Sequence, residues 1–341
     1  MRILDQSIAY RNESKYAAFP SLARNEETLY LAFRVAPNVK PLSHLDTRSY
    51  ALILQSADEG RTWQNHSEVT GRMGEGIQDP SLSVLKGCLP DYTTRLFLSY
   101  FVWRSKSGVN TRKAKKALVD GIYIRTTPVG ETEWSEPVKV PGDSALRWAT
   151  SEPFGGDASG YVYLAGYGNV GGGGDCCIVF TSYWPRSWTA TRIAFDPTGT
   201  IDYQEPAILD CGDQHLLCVV RGPNHTLYQV HNWERGEPWE PTRKMPFGGT
   251  SPSLCRLADG RVLCTYGYRK PPYGIRACLS WNEGVSWEYE DIFVLRTDGG
   301  GWDLGYPSTV QMADGSLLTA YYFHTKQDRL RRIELTRWTI D

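Results

Sequence analysis

The chain has 341 residues, with 33 glycines, 20 prolines, 12 tryptophans and 20 tyrosines; this is long for one ordinary domain but normal for one closed array of small sheets. Its 37 basic and 38 acidic residues leave a net charge of −1, which removes any global electrostatic case for a nucleic-acid or acidic-membrane partner. The opening MRILDQSIAYRNES lacks the apolar core of a signal peptide and no apolar run is long enough to span a bilayer, so the sequence reads as cytoplasmic.

In chain order the predicted elements repeat. At Pro20, Pro80, Pro153, Pro206, Pro252 and Pro307 a proline opens a run that alternates small or polar with apolar residues, at spacings of 60, 73, 53, 46 and 55 residues. In the first unit Arg34 ends the second predicted strand, a polar loop carries His44 and Asp46, and Ser56–Trp63 reads SADEGRTW. The second unit opens on Asp79-Pro80 and holds the longest insertion, whose Arg112, Lys113, Lys115 and Lys116 read as a solvated loop. Glu152-Pro153 opens the third, where the glycine-rich stretch 168–174 is a loop within the repeat, not a domain boundary. The fourth opens on Glu205-Pro206 and reaches Arg221. The fifth turns at Ala258-Asp259-Gly260, passes Arg269 and Arg276, and contains SWNEGVSW at Ser280–Trp287. The sixth brings Asp303, Tyr306-Pro307, the turn Ala313-Asp314-Gly315 and His324.

Each clear unit is a hairpin whose glycine supplies the turn. A period near ~50 residues that is strand-rich throughout means sheets that cannot bury their faces alone. The expected fold is therefore all-β: one six-bladed β-propeller of four-stranded antiparallel sheets over residues 1–341, the last blade closing against the first. The segments Ser56–Trp63 and Ser280–Trp287 share the pattern S-x-D/N-x-G-x-S/T-W, an Asp-box. Its Asp or Asn bonds backbone amides of the turn, its Gly takes a positive φ and its Trp packs on the blade; weaker copies end at Trp134 and Trp239. Cys218, Cys255, Cys264 and Cys278 lie in predicted strands where Val or Ala would serve, which favours reduced, buried thiols. Cys176-Cys177 has neither the spacing nor the histidine pair of a zinc site.

Together these features resemble the sialidase superfamily, whose catalytic domains are six-bladed propellers with Asp-boxes, and the resemblance spans nearly the whole chain. GYPSTVQMADGSLLTAYY at 305–322 is similar to the segment that carries the family's tyrosine nucleophile, here Tyr306. QEPAILDCGDQHLLCVVR at 204–221 is similar to the segment with the glutamate that activates it, Glu205, and ends on Arg221 where the family has a carboxylate-binding arginine. Arg269 or Arg276 stands where another family arginine precedes an Asp-box. The first family arginine, just before the opening proline, is Ala18 here, with Arg34 as a replacement from the next strand. By position, Asp46 is the expected acid/base and His44 its substitute. Asp303 is a further acid near Tyr306.

The resemblance implies a retaining exo-glycosidase acting on a terminal sialic acid or related acidic sugar. A neutral phenol approaches an anionic sugar that would repel a carboxylate nucleophile, and arginine forks bind the sugar's carboxylate. This chemistry needs no metal or organic cofactor, and its partner is a glycan or small acidic sugar. Asp79 and Glu152 precede blade prolines as Glu205 and Tyr306 do, so the four are expected at one rim, in an acidic cup. Trp103, Tyr167, Tyr268 and Tyr322, near the ends of second strands, supply its aromatic wall or pack between blades. Two other readings fit the same residues: a glycosidase or lyase for uronic-acid-containing glycans, favoured by Ala18, and a non-catalytic glycan-binding propeller.

Overall fold

A computed structural model of the chain describes all residues except 88–92, 142–147, 151–152, 154, 157–158, 170–173, 184–187 and 341. The described residues form six four-stranded antiparallel sheets. The first comprises β2 (Lys15–Asn25), β3 (Thr28–Pro37), β4 (Tyr50–Ser56) and β5 (Gln64–Val69). The second has β6 (Glu75–Leu85), β7 (Arg95–Ser105), β8 (Ala117–Pro128) and β9 (Val138–Lys139), and the third β10 (Gly155–Gly156), β11 (Tyr161–Asn169), β12 (Asp175–Tyr183) and β13 (Thr189–Ala194). The fourth runs β14 (Gln204–Gly212), β15 (His215–Arg221), β16 (Thr226–Asn232) and β17 (Arg243–Gly248), and the fifth β18 (Thr250–Arg256), β19 (Val262–Tyr268), β20 (Gly274–Ser280) and β21 (Phe293–Arg296). The sixth is closed from both ends of the chain: β22 (Gly305–Gln311), β23 (Leu317–Phe323) and β24 (Arg332–Thr339) receive β1 (Arg2–Tyr10) as their outermost strand. The fold is the expected six-bladed β-propeller. Among the described residues the helical content is two 3₁₀ turns, Ala114–Lys116 and Pro223–His225, and no helix is long and apolar enough to cross a membrane.

The first strand of each blade is innermost. β2 packs against β6 and β22, and β18 against β14 and β22, around one axis. The apolar cores lie between adjacent blades, as expected for sheets that cannot bury a face alone. Phe33, Leu52, Leu318 and Leu335 fill the seam where the sixth blade meets the first, and Leu263, Ile275, Tyr321 and Trp338 fill that between the fifth and sixth. Cys177, Cys211 and Cys278 are buried free thiols in these cores.

The repeated prolines create a repeated defect. In five blades the ladder between first and second strand breaks at the residue-proline pair: the register skips from Ala18 to Ser21, Gln78 to Ser81, Gln204 to Ala207, Thr250 to Ser253 and Gly305 to Ser308. Proline has no N–H for the ladder, so the dipeptide bulges. The residue before each of these prolines takes a positive φ: Phe19 60°, Asp79 45°, Glu205 49°, Ser251 47° and Tyr306 48°. Gly305 precedes Tyr306 at φ 119°, and a Cβ there would stand 3.2 Å from the Gly267 Cα.

The segments Ser56–Trp63 and Ser280–Trp287 both form clamped turns. Ser56 Oγ donates to Asp58 Oδ1 at 2.8 Å and accepts the Gly60 amide at 2.8 Å, and Asp58 accepts the Thr62 amide at 2.9 Å. Ser280, Asn282, Gly284 and Ser286 repeat these bonds. The second turn is tied to the fourth blade through Gln229, whose Nε2 donates to Gly284 O at 2.8 Å and whose Oε1 accepts Trp287 Nε1 at 2.8 Å. Beside Gln229 a buried histidine pair continues the link, with His231 Nδ1 2.9 Å from His215 Nε2 and His215 Nδ1 3.1 Å from Glu283 Oε2.

Burial, then the neighbouring His215, pushes the His231 imidazole down to about 4. An unfolded histidine titrates near ~6.5, so between these values the unfolded chain binds the extra proton and stability falls as pH falls. His231→Gln should flatten the decline of the thermal midpoint between neutral pH and about pH 4. An unchanged slope would place the acid sensitivity elsewhere.

Candidate active site

The bulges turn side chains of separate blades toward the axis at one end of the ring. Tyr306, from the sixth blade, donates its hydroxyl to Glu205 Oε1 of the fourth at 2.6 Å. The other oxygen of Glu205 accepts Arg221 Nε at 2.6 Å and Ser251 Oγ at 2.8 Å. Arg221 also donates through Nη2 to Gln204 Oε1 at 2.5 Å. Phe19 packs edge-on to Tyr306, with ring centroids 4.6 Å apart.

Electrostatics separates the carboxyls of this floor. Burial would push the Glu205 carboxyl up, but the charge and hydrogen bond of Arg221, with Arg269 beyond, hold it down at about 2. Asp79 is 3% exposed and has no such fork. Burial first and the Glu205 charge second push it up to about 8, against the pull of Arg34 and the Gln78 amide. Burial, followed by the charges of Glu205 and Asp79, raises the Tyr306 phenol well above its usual value, with Arg269 opposing. At neutral pH the floor therefore presents an ionised Glu205, a protonated Asp79 and a neutral phenol.

A second network forms one wall. Arg269 donates to Leu304 O at 2.9 Å and through Nη2 to Tyr322 OH at 3.0 Å, with its guanidinium carbon 5.6 Å from the centre of the Tyr306 ring. Tyr322 donates onward to Asp303 Oδ1 at 3.1 Å, as does Tyr16 at 3.1 Å. Asp303 Oδ2 accepts Arg331 Nε at 2.8 Å, and His44 Nε2 lies 3.0 Å from Oδ1. Burial opposes charge on Asp303, but His44, Arg331 and Tyr16 hold its carboxyl well below the usual carboxylate range.

Arg34 stands directly opposite Ala18 across the β2–β3 ladder. Cross-strand partners share a sheet face, so the guanidinium absent at position 18 has a counterpart on that face. It is fully buried, its three nitrogens have no hydrogen-bond partner, and it lies 5.6 Å and 5.9 Å from the ring centres of Tyr16 and Phe19.

The remaining expected site residues have varied surroundings. Asp46, the expected acid, is 1% exposed and fully engaged: Arg48 donates to both its oxygens at 2.9 Å and 2.7 Å, and Arg112 Nε lies 3.4 Å from Oδ2. It holds a loop together and offers no free oxygen to the floor. Arg276 stacks on Tyr268, 3.4 Å from the ring centre, so of the two candidate arginines Arg269 joins the cluster. Glu152 lies outside the described residues. Of the aromatic wall, burial and then the charges of Asp79 and Glu205 raise the Tyr167 phenol against the pull of Arg221, and Tyr322 holds Arg269, whereas Trp103 packs on Phe101. His324 is buried, with neither ring nitrogen hydrogen-bonded, and burial and Arg331 push it down to about 4. The sequence reading missed Ser251, Gln204, Tyr16 and Arg331. Ser251 had a usable signal, since it precedes a blade proline as Glu205 does, and Gln204 lies beside Glu205 in the segment already marked; Tyr16 and Arg331 project from positions that no motif marks.

No protein-family model matches the chain, and no curated protein matches its sequence. Solved structures do resemble it in fold. A protein of unknown function from Dyadobacter fermentans DSM 18053 is 24% identical, with a TM-score of 0.84 over 100% of this chain and 99% of that one. A Trypanosoma rangeli sialidase in complex with the inhibitor DANA is 12% identical, with a TM-score of 0.70 over 98% of this chain and 60% of its own length. The intramolecular trans-sialidase from Ruminococcus gnavus, in complex with oseltamivir carboxylate, is 13% identical, with a TM-score of 0.66 over 96% of this chain and 95% of that one. At these identities the likeness is one of fold: this chain has the propeller on which sialidases are built.

Proposed function

We propose that the protein is a retaining exo-glycosidase of sialidase type, acting on a terminal sialic acid or a related acidic sugar. The observation that carries this reading is the 2.6 Å hydrogen bond from the Tyr306 hydroxyl to Glu205, whose second oxygen is fixed by Arg221 and Ser251. The fold shared with sialidases supports it.

In this reading Tyr306 is the nucleophile and Glu205 its base. A phenol held well above its usual pKa does not hand its proton to a carboxylate near 2 in the resting enzyme. The transfer occurs as the phenolic oxygen bonds the anomeric carbon, when its proton becomes strongly acidic, so the step is concerted with attack. The neutral resting phenol suits an anionic sugar. Arg269, with Arg34 behind Phe19, supplies positive charge for the carboxylate, and Arg221 divides its fork between Glu205 and Gln204. Asp79, protonated at neutral pH, offers a donor to a sugar hydroxyl. Ala18 gives the second reading, a glycosidase or lyase for uronic-acid-containing glycans, its specific support: one guanidinium fewer faces the cup directly.

Turnover of a fluorogenic α-sialoside tests the proposal. Wild type should hydrolyse it, and Glu205→Gln and Tyr306→Phe should each lower kcat by about 10²–10⁴-fold while the thermal midpoint moves by only a few degrees. A folded wild type inactive on sialosides but active on a uronic-acid glycoside would select the second reading. A large loss of midpoint in either variant would make the pair structural. Arg221→Met should strand the Glu205 charge, raising its pKa and destabilising the fold by about 3–5 kcal/mol, measurable by denaturant unfolding beside a carboxyl NMR titration. Unchanged Glu205 titration would show that Arg221 is not its counter-charge.

A further inference from the structure

We infer that His44, held by Asp303, is the proton donor to the departing aglycone oxygen; this rests on the glycosidase reading and adds the residue that it lacks. Attack by Tyr306 from the floor expels the leaving group on the opposite side of the anomeric carbon, toward the mouth of the cup. The acid must therefore stand on the wall, above the floor, with an atom open to the substrate.

Three acidic groups fail that requirement. Asp46 is sequestered by Arg48 and Arg112. Asp79 lies in the floor beside the nucleophile, 3% exposed. Asp303 has both oxygens occupied, by Tyr16, Tyr322 and His44 on one and Arg331 on the other. His44 meets it. Ring contacts run from Tyr306 to Phe19 at 4.6 Å, from Phe19 to His44 at 5.2 Å and from His44 to Trp302 at 6.0 Å, so the series leads from the nucleophile to a ring that is 59% exposed. The His44 side chain is 36% exposed. An ionised carboxylate only accepts, so Nε2–H donates to Asp303, and Nδ1 is the ring nitrogen left for a ligand.

The loop is built to present this ring. Ser43 Oγ bonds Leu45 O at 2.9 Å, the Thr47 amide donates to Thr111 O at 3.0 Å and the Thr111 amide returns to Thr47 Oγ1 at 2.7 Å. Arg112 donates to Val39 O at 2.8 Å and to Pro41 O, and Asp46 joins Arg112 to Arg48 beneath. Asp46 is thus a positioning residue. The charged and titratable groups around this pair are Asp303 in contact with His44, Arg331, Arg269, Arg34 and His324 around that carboxylate, and the phenols of Tyr16 and Tyr322.

As the glycosidic bond breaks, its electron pair goes to the aglycone oxygen, which takes the Nδ1 proton of the His44 imidazolium. Tyr306 oxygen bonds the anomeric carbon and passes its proton to Glu205. In the second half neutral His44 takes a proton from the water whose oxygen displaces Tyr306, and the tyrosine recovers its proton from Glu205.

The test compares two sialosides that differ only in the aglycone, an acidic 4-methylumbelliferyl and a poorly leaving alkyl group. His44→Gln should lose about 10²–10³-fold in kcat/KM on the alkyl substrate but less than about tenfold on the aryl one, and lose the descending alkaline limb of the pH profile. Asp46→Asn should lose activity on both substrates alike. Equal losses in His44→Gln on the two substrates, or none, would overturn the inference while Tyr306→Phe inactivity kept the glycosidase reading. A leaving-group-selective loss in Asp79→Asn instead would move the acid to the floor. A folded wild type that cleaves neither substrate would defeat the sialidase reading and this inference together.

Discussion

The missing N–H of proline in the innermost strands is the constraint on which the rest depends. Each innermost strand must pair with its neighbour in the blade while crowding the axis, and a proline there removes one rung. The rung is lost as a two-residue bulge, and the residue before it adopts a positive φ in five blades. A non-glycine residue in that region costs on the order of 1–2 kcal/mol. Ring closure holds these conformations. The sixth sheet is completed by the opposite end of the chain, and apolar seams such as that of Phe33 and Leu318 lock each blade to the next. Strain carried at the same place in five blades converges a phenylalanine, an aspartate, a glutamate, a serine and a tyrosine on one axis.

Charge distribution then separates chemically similar groups. Glu205 and Asp79 occupy equivalent positions on their blades, yet one is held near 2 and the other near 8. The difference lies in the next strand: β15 ends on Arg221, whose fork meets Glu205, whereas Asp79 sees Arg34 without a hydrogen bond and faces the Glu205 charge. Buried arginine in turn is tolerated here unevenly. Arg269 is satisfied by a tyrosine and a carbonyl, while Arg34 leaves three donors unpaired beneath two aromatic rings. An unpaired buried guanidinium is costly, and it stands opposite Ala18 across the β2–β3 ladder.

The wall and floor are of different construction. Floor residues come from strands and are fixed by the ladder on either side. The wall depends on an inserted loop of the second blade bracing a loop of the first, through Asp46, Arg112 and Thr111. Asp303, on a glycine-rich loop, joins that wall to Arg269 through Tyr322.

The six prolines, the alternation after them and the two repeated turn segments at 56–63 and 280–287 determined the propeller from sequence alone, because each reports local backbone geometry: a lost donor, a two-residue period, a glycine turn. The same local rule placed Tyr306, Glu205 and Asp79 at one rim, and the segments around Tyr306 and Glu205 singled out those two. What the sequence did not determine was pairing across blades. Arg269 and Arg276 are equivalent by spacing, and only the closed structure turns one to Tyr322 and stacks the other on Tyr268. Asp46 and His44 sit two residues apart in one polar loop, and the choice between keystone and exposed ring is made by Arg112, Asp303 and Trp302, from other blades. Local periodicity fixes which residues face the axis; which of them touch is decided by loops from separate blades, whose long-range contacts leave no period in the chain.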